Sequence, residues 1–342
     1  MIDTKALLKI VDRHKKLVQD TRVYVRVVDK KLVVSSGNLS GVVLRTRTRA
    51  DSADFKALVS VDALMGALRA TKEAELSVAD GRLVVKGKGM KADMPIEPGE
   101  PPSLPKTNDA AALPKKVVAA LRDAVPRVDI PRLAKSGQLS IRCRDGELFA
   151  ACTDDVHGAV YRGKGSGDLE LGVFPQDSGL LTNALAHDDV AIAFIEGSLV
   201  INSKGDVEET VVIPTVACDY IPRDDSSAKT VARIKITDLR EVLSAVSPIT
   251  SADEASPVRI VLDPAKGARV EVASTVGTLS KRLNAKVLKA TAFGISHVLL
   301  NDLSSKMTGT VSLGVFVEEG EVARVQFECE GVVYAALTDG GK

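Results

Sequence analysis

Tryptophan is absent from this chain of 342 residues, and aromatic residues make up only 3% of it. A carbohydrate cleft or a base-stacking platform leans on exposed rings, so the composition argues against both. Cysteine is scarce as well. Cys143, Cys152, Cys218 and Cys329 form no C-x-x-C pair and no disulfide-dense pattern. Long apolar runs are missing: no stretch approaches the roughly 18 residues that a membrane helix needs. The start, MIDTKALLKIVDRHKK, carries charges every few residues and has no apolar leader core. These absences lead to the expectation of a reduced, cytoplasmic protein with no membrane partner.

Net charge is nearly absent too, at +1, but the balance hides an asymmetry. Residues 1–106 hold 20 Lys+Arg against 13 Asp+Glu, a net +7. Residues 107–222 hold 11 against 17, a net −6, and residues 223–342 hold 15 of each. A basic surface on a neutral or acidic body is the pattern of a protein that meets a polyanion.

One short stretch looks like chemistry. CTDDVHG (152–158) puts a thiol, two carboxylates and an imidazole within seven residues. Asp154, Asp155 and His157 are ligand types that suit zinc or manganese in a hydrolase. Such a site needs a distant ligand, and the remaining imidazoles, His14, His187 and His297, all lie on or beside predicted helices. No Ser–His–Asp arrangement stands out, and GKGSG (163–167) lacks the order of a phosphate-binding loop and reads as a turn.

What the chain has in abundance is one repeated device. VVDKKLVV (27–34), VADGRLVV (78–85), CRDGELFA (143–150), FIEGSLVI (194–201), LDPAKGARVEV (262–272) and VEEGEVARV (317–325) each read as strand, tight turn, strand. Their turn positions Lys30, Gly81, Gly146, Gly197, Gly267 and Gly320 are separated by 51, 65, 51, 70 and 53 residues. Short and long intervals alternate, so the simplest organisation is three domains of two units each. A helical pattern precedes every hairpin. In the first, Leu7, Ile10, Val11, His14 and Val18 recur at helical spacing. The others are Val61–Lys72, Leu113–Val125, Pro175–His187, Ile236–Val246 and Ile295–Met307. Pro-rich PIEPGEPPSLPKTND (95–109) and CDYIPRDDSSAK (218–229) serve as linkers. The expected fold is α+β, with three pseudo-repeated domains at 1–106, 107–222 and 223–342, each a layer of antiparallel sheet carrying helices on one face.

On these elements the chain resembles a known family, the bacterial sliding clamp or beta subunit of DNA polymerase III, as a divergent member. VSVDALMGALRA (59–70), LGVFPQDSGLLTNAL (171–185) and ISHVLLNDLSSKMTGTVSLGVF (295–316) look like that family's strand-into-helix entries. CDYIP (218–222) is similar to its F-P-D-Y-x-x-x-x-P segment, and CTDDVHGAVY (152–161) lies where the family has A-T-D-G-H-R-L-A. The resemblance implies a non-enzymatic processivity factor: a homodimeric ring, helices inside and sheet outside, encircling double-stranded DNA without cofactor. It implies a DNA polymerase and a clamp loader as partners. Closing the sheet also removes exposed strand edges.

A DNA-filled ring requires basic faces on the helices. Lys5, Lys9 and Lys16 lie opposite the Leu7/Val11/Val18 stripe, with Asp12 among them. Arg69 lies opposite Leu64 and Leu68. Lys116 and Arg127 oppose Val118, Leu121 and Val125, flanked by Arg122. The third domain offers Arg240 with Thr237 and Ser244, then Asn301 and Ser304, a polar but thinly charged face. The family's peptide-docking pocket, carried over by position, falls on Thr153, Asp155, Val156, His157 and Gly158, on Ile221 and Pro222, and on Leu337 and Thr338. Two departures stand out. The chain ends YAALTDGGK in place of an M-P-M-R-L-like tail, and D-V-H-G replaces G-H-R-L. The residues alone leave two other readings open, a metal-dependent hydrolase and a scaffold of this fold that does not encircle DNA.

Overall fold

The computed structural model describes residues 2–105, 112–130, 133, 138–153, 157–205, 207–218, 228–250, 257–318 and 320–338. The first repeat comprises β1 (Ile2–Asp3), α1 (Thr4–Val18), β2 (Arg22–Val28), β3 (Lys31–Gly37), β4 (Val43–Arg49), β5 (Phe55–Ser60), α2 (Val61–Arg69), β6 (Glu73–Ala79), β7 (Arg82–Gly87) and β8 (Met90–Pro95). The second comprises α3 (Lys115–Val128), β9 (Gln138–Arg144), β10 (Glu147–Thr153), β11 (Gly158–Lys164), β12 (Leu169–Val173), α4 (Ser178–Leu185), β13 (Asp189–Ile195), β14 (Ser198–Lys204) and β15 (Glu208–Val216). The third comprises β16 (Lys229–Lys235), α5 (Ile236–Thr250), β17 (Pro257–Asp263), β18 (Gly267–Ser274), β19 (Gly277–Leu283), β20 (Ala285–Val287), β21 (Thr291–Ser296), α6 (His297–Lys306), β22 (Thr310–Glu318), β23 (Glu321–Cys329) and β24 (Val332–Leu337). All six expected hairpins and all six expected helices form.

Three of the helices begin at a side-chain cap. The Asp3 carboxylate accepts from the backbone N–H of Lys5 at 2.9 Å and of Ala6 at 3.3 Å, capping α1. Ser60 and Ser296 cap α2 and α6 in the same way, through the N–H groups of Ala63 and Leu299. Gln19, in the left-handed region at φ 57, ends α1. The tight turns follow from backbone sterics as well. Asp80–Gly81, Asp145–Gly146 and Glu196–Gly197 all have both residues at positive φ, the geometry whose twist matches two-residue hairpins.

Sheet pairing within the repeats follows one rule. The strand that leads into a helix pairs with the hairpins of the other half-repeat. β1 precedes α1 but pairs with β6, whereas β5 precedes α2 and pairs back with β2. In the third repeat β16 pairs with β22, and β21 pairs with β17. In the second, Ala112 ahead of α3 bridges to Ala193 on β13, and β12 pairs with β9. The two halves are thereby interlocked, and neither sheet completes itself from contiguous chain.

By packing, the chain divides into two compact units, Met1–Val118 with Gly179–Val216, and Ala119–Ser178 with Ala217–Lys342. In the first unit the core gathers Leu7, Ile10 and Val11 of α1, Leu64, Met65 and Leu68 of α2, and inward residues of strands such as Val25, Val34, Leu76 and Val85. Its β15 pairs antiparallel with β4, so the sheet runs β5-β2-β3-β4-β15-β14-β13. In the second unit β11 pairs with β24, and the sheet runs β20-β16-β22-β23-β24-β11-β10-β9-β12. A smaller four-stranded sheet stands in each, β1-β6-β7-β8 in the first and β19-β18-β17-β21 in the second.

Candidate nucleic-acid interface and peptide cleft

α1 buries Leu7, Ile10, Val11, His14 and Val18, and its opposite face is open. Lys5, Lys9 and Lys16 are all exposed on that face, spread over about 16 Å of helix axis. Lys16 pairs with Asp12 one turn back at 2.7 Å, and neighbouring Lys15 with Asp62 of α2 at 2.6 Å. Exposed ion pairs of this kind contribute little and exchange readily for another anion. Arg69 is exposed at the end of α2, and Lys116 is exposed at the start of α3 beside Lys115, a cation that the sequence reading passed over. Arg122 is half-buried on α3.

α5 is the counterpart of α1 and buries Leu239, Val242, Leu243, Val246 and Thr250 in the same spacing. The positions matching Lys5, Lys9, Asp12 and Lys16 are Thr237, Glu241, Ser244 and Pro248. The basic face therefore belongs to the first three helices. α4 carries no charged residue at all.

Two expected contacts have other engagements. Arg240 donates to the carbonyls of Ser304 (2.6 Å) and Met307 (2.8 Å), closing the last turn of α6. The Ser304 carbonyl also accepts from the Met307 N–H at 3.3 Å, and the guanidinium fork joins the two carbonyls at the helix end. Arg127 meets Asp123 at 2.9 Å and Glu330 at 3.3 Å, with its guanidinium 5.8 Å from the Tyr161 ring centroid. Burial pulls its pKa down, but the two carboxylates outweigh that and raise it. Its charge is balanced inside the protein. The Tyr334 hydroxyl donates to the Arg127 carbonyl at 3.1 Å, and Lys306 donates to that of Pro126 at 3.1 Å, fixing the end of α3.

The two ends of CTDDVHG lie on paired strands, Cys152 and Thr153 on β10 and Gly158 on β11. Cys152 is buried, and the Thr153 hydroxyl donates to the His157 carbonyl at 2.8 Å, tying β10 to β11. Gly158 pairs with Ala335 on β24, two residues before Leu337. Leu337 is 45% exposed, while Thr338 donates through its backbone N–H to the Ala323 carbonyl at 3.1 Å and through its hydroxyl to that of Val322. Val322 also lines a cleft of about 390 Å³ with Val231, Ala292, Val315 and Val317. Thr153, His157, Gly158, Leu337 and Thr338 are thus gathered by one sheet. Asp155, Val156, Ile221 and Pro222 lie outside the described residues, as does Asp154 of the hydrolase reading. Among the described residues no cluster of three or more His, Cys, Asp or Glu is placed to hold a metal.

No protein-family profile and no curated protein matches the sequence. Solved structures do match. The DNA polymerase sliding clamp of Pseudomonas aeruginosa aligns over 98% of both chains with a TM-score of 0.75 at 15% identity. The beta sliding clamp of C. crescentus gives 0.75 at 16%, and the DNA polymerase III beta subunit of Thermotoga maritima 0.73 at 14%, each again over 98% of both chains. The chain has the fold of the bacterial sliding clamps. The alignments run over nearly the whole chain, so they take in all three repeats. The match lies in architecture, since about one residue in seven is shared. Among the described residues no helix is long and apolar enough to cross a membrane.

Proposed function

We propose that this chain is a DNA sliding clamp, a homodimeric ring of three-domain subunits, divided at 106/107 and 222/223, that encircles duplex DNA and tethers a polymerase. One observation carries the reading. The last strand of the hairpin ladder in the successive half-repeats is β4, β8, β11, β15, β19 and β24. The last strand of a first half joins the last strand of a second half twice within the chain, as β4 with β15 and β11 with β24. The pair left over is β19 with β8, and among the described residues both stand at the edge of their four-stranded sheets. A second copy placed head to tail satisfies both edges by the same rule and closes the sheet.

The basic faces of α1, α2 and α3 support duplex DNA as the occupant. Lys5, Lys9, Lys16, Arg69, Lys116 and Arg122 offer charge without a ring or fork arranged for base edges, which suits sequence-independent phosphate contact and sliding. The end of β24 at Leu337 and Thr338, with Thr153, His157 and Gly158 at the neighbouring ends of β10 and β11, is proposed as the dock for short polymerase and clamp-loader peptides. Its role is to hold partners, with no catalytic step.

The test is topological. Clamp loaded on a nicked circular plasmid should elute with the DNA and be released when the plasmid is cut to a linear form. A dimer that never stays on circles favours the non-encircling scaffold, and a monomer with tightly bound metal favours the hydrolase.

A further inference from the structure

The excess positive charge of the first repeat is only partly on its helices. β2, β3, β4 and β5 form one sheet whose inward residues, such as Val25, Val34 and Ala57, join the core. Alternation sends Arg26, Lys31, Arg45, Arg47, Arg49 and Lys56 to the opposite face. Register places Lys56 beside Arg26, then Val33, then Arg47 in one row across four strands. Lys31 pairs with Arg49 on one flank and Ser35 with Arg45 on the other. Six cations therefore share a patch roughly 14 Å on a side. None of the six makes an ion pair among the described residues.

Arg45 is the anomaly within this patch. Its Nε is buried and lacks a hydrogen-bond partner. Burial and the charges of Arg47 and Arg26 lower its pKa. A fold that gathers like charges around an unsatisfied guanidinium leaves an electrostatic debt that an anion would relieve. Carboxylates border the patch, and Glu100 lines a pocket with Tyr24, Ser35 and Leu58 of the same face. Asp20 and Glu97 are each 3.9 Å from Arg22, and Glu208 faces Arg47 across the ladder from β15.

From this placement we infer that the outward face of β2–β5 is a second nucleic-acid surface that binds the phosphate backbone of duplex DNA from outside. Four of the six cations are arginines, whose planar forks grip phosphate oxygens bidentately. The one aromatic on this face, Tyr24, is 7% exposed, so no ring is available to an unstacked base. Binders of single strands rely on such rings, whereas a duplex presents its backbone alone. The surface does not depend on encirclement, and it is the opposite face of the sheet from α1.

The test is anisotropy of a short fluorescent duplex, about 20 base pairs, against wild type, Arg45→Glu/Arg47→Glu and the fully surface variant Arg49→Glu/Lys56→Glu. Each double variant should weaken binding at least about tenfold in low salt and reduce the slope of log K against log salt by about 2. Unchanged affinity and slope in both variants, with thermal melts showing them folded, overturns the inference. Tighter binding of oligo-dT than of duplex, or of an acidic peptide than of either, overturns it in favour of a single strand or a protein partner. Retention on nicked circles is read separately. Loss of duplex binding in these variants with retention intact supports the inference, and wild type that binds duplex through these arginines but is not retained sinks the clamp reading alone.

Discussion

Arg13 of α1 and Glu209 of β15, 196 residues apart, form a two-pronged ion pair in which Nε and Nη2 each lie 2.9 Å from a carboxylate oxygen. The Glu209 side chain is 5% exposed, and His187 approaches it at 3.5 Å. This contact ties the first helix to the last strand of the second repeat, beside the β4–β15 ladder. Removing one partner strands a buried charge, which is far costlier than losing a surface pair. Arg13→Ala, which leaves the buried Glu209 carboxylate without its partner, should therefore destabilise the protein by about 3 kcal/mol in urea unfolding. Arg13→Met/Glu209→Leu should recover much of that loss. A loss in the double variant equal to the sum of the two single-variant losses would show that the charges are not coupled.

His14 predicts a pH dependence. It is 1% exposed, with Nδ1 2.7 Å from the Ser36 hydroxyl and Nε2 2.9 Å from that of Thr46. Burial, with the nearby charge of Arg13, pushes its pKa down to about 3. Below about 6.5 the unfolded chain takes up a proton that the folded one refuses, so stability falls as pH drops from about 6.5 towards 3. Between pH 7 and 5 wild type should lose about 2 kcal/mol more than His14→Gln. Asp177 works in the opposite direction, since burial raises its carboxyl to about 6. It is common to both proteins and cancels in the difference.

Lys30 occupies a glycine's place. It sits at φ 58, where Gly81, Gly146, Gly197 and Gly331 hold the equivalent turn position at φ 70, 84, 75 and 78. A left-handed conformation strains a residue with a Cβ by roughly 1–2 kcal/mol, and glycine's looser unfolded state offsets part of the relief. Lys30→Gly should stabilise by about 0.5–1 kcal/mol, and a lower unfolding midpoint would refute the turn assignment.

Reversal of Lys5, Lys9 and Lys16 to Glu should leave the thermal melt nearly unchanged, because all three are exposed. It should shorten retention on nicked circles and reduce the salt slope by about 3, close to one unit per phosphate contact. Retention equal to wild type at moderate salt would remove α1 from the DNA surface.

Leu337→Asp should weaken binding of a labelled cognate polymerase peptide tenfold or more while retention on circles persists. Leu337 is exposed at the end of β24, so the substitution alters the surface and not the core. Undiminished affinity would move the peptide dock elsewhere.

The half-repeat was readable from local chemistry. Acidic-Gly turns between alternating strands, and the spacing of Leu7, Ile10, Val11, His14 and Val18, fall under short-range rules of sterics and burial. His14 was legible as a packing residue for the same reason. The charge of the first domain was legible in amount but not in place. LRTRTR (44–49) alternates strictly, a period-2 signal that puts Arg45, Arg47 and Arg49 on one face of a strand, yet only the position of α1 reveals that this face is the one away from the helices.

CTDDVHG drew attention as a possible site because proximity in sequence mimics convergence in space. In the fold its two ends sit on the paired strands β10 and β11, where Gly158 meets β24, and Thr338 reaches back to β23. Arg127 and Arg240 looked like free cations on helical wheels, but partners 203 and 64 residues away engage them. Sequence by itself determined the elements, since turns, caps and amphipathic stripes depend on residues within a few positions of one another. Tertiary structure alone decided which strand leading into a helix crosses to the other half, which edges stay open and which charges find partners. Those outcomes rest on strand register and long-range pairing, and no local pattern encodes the distance between the residues involved.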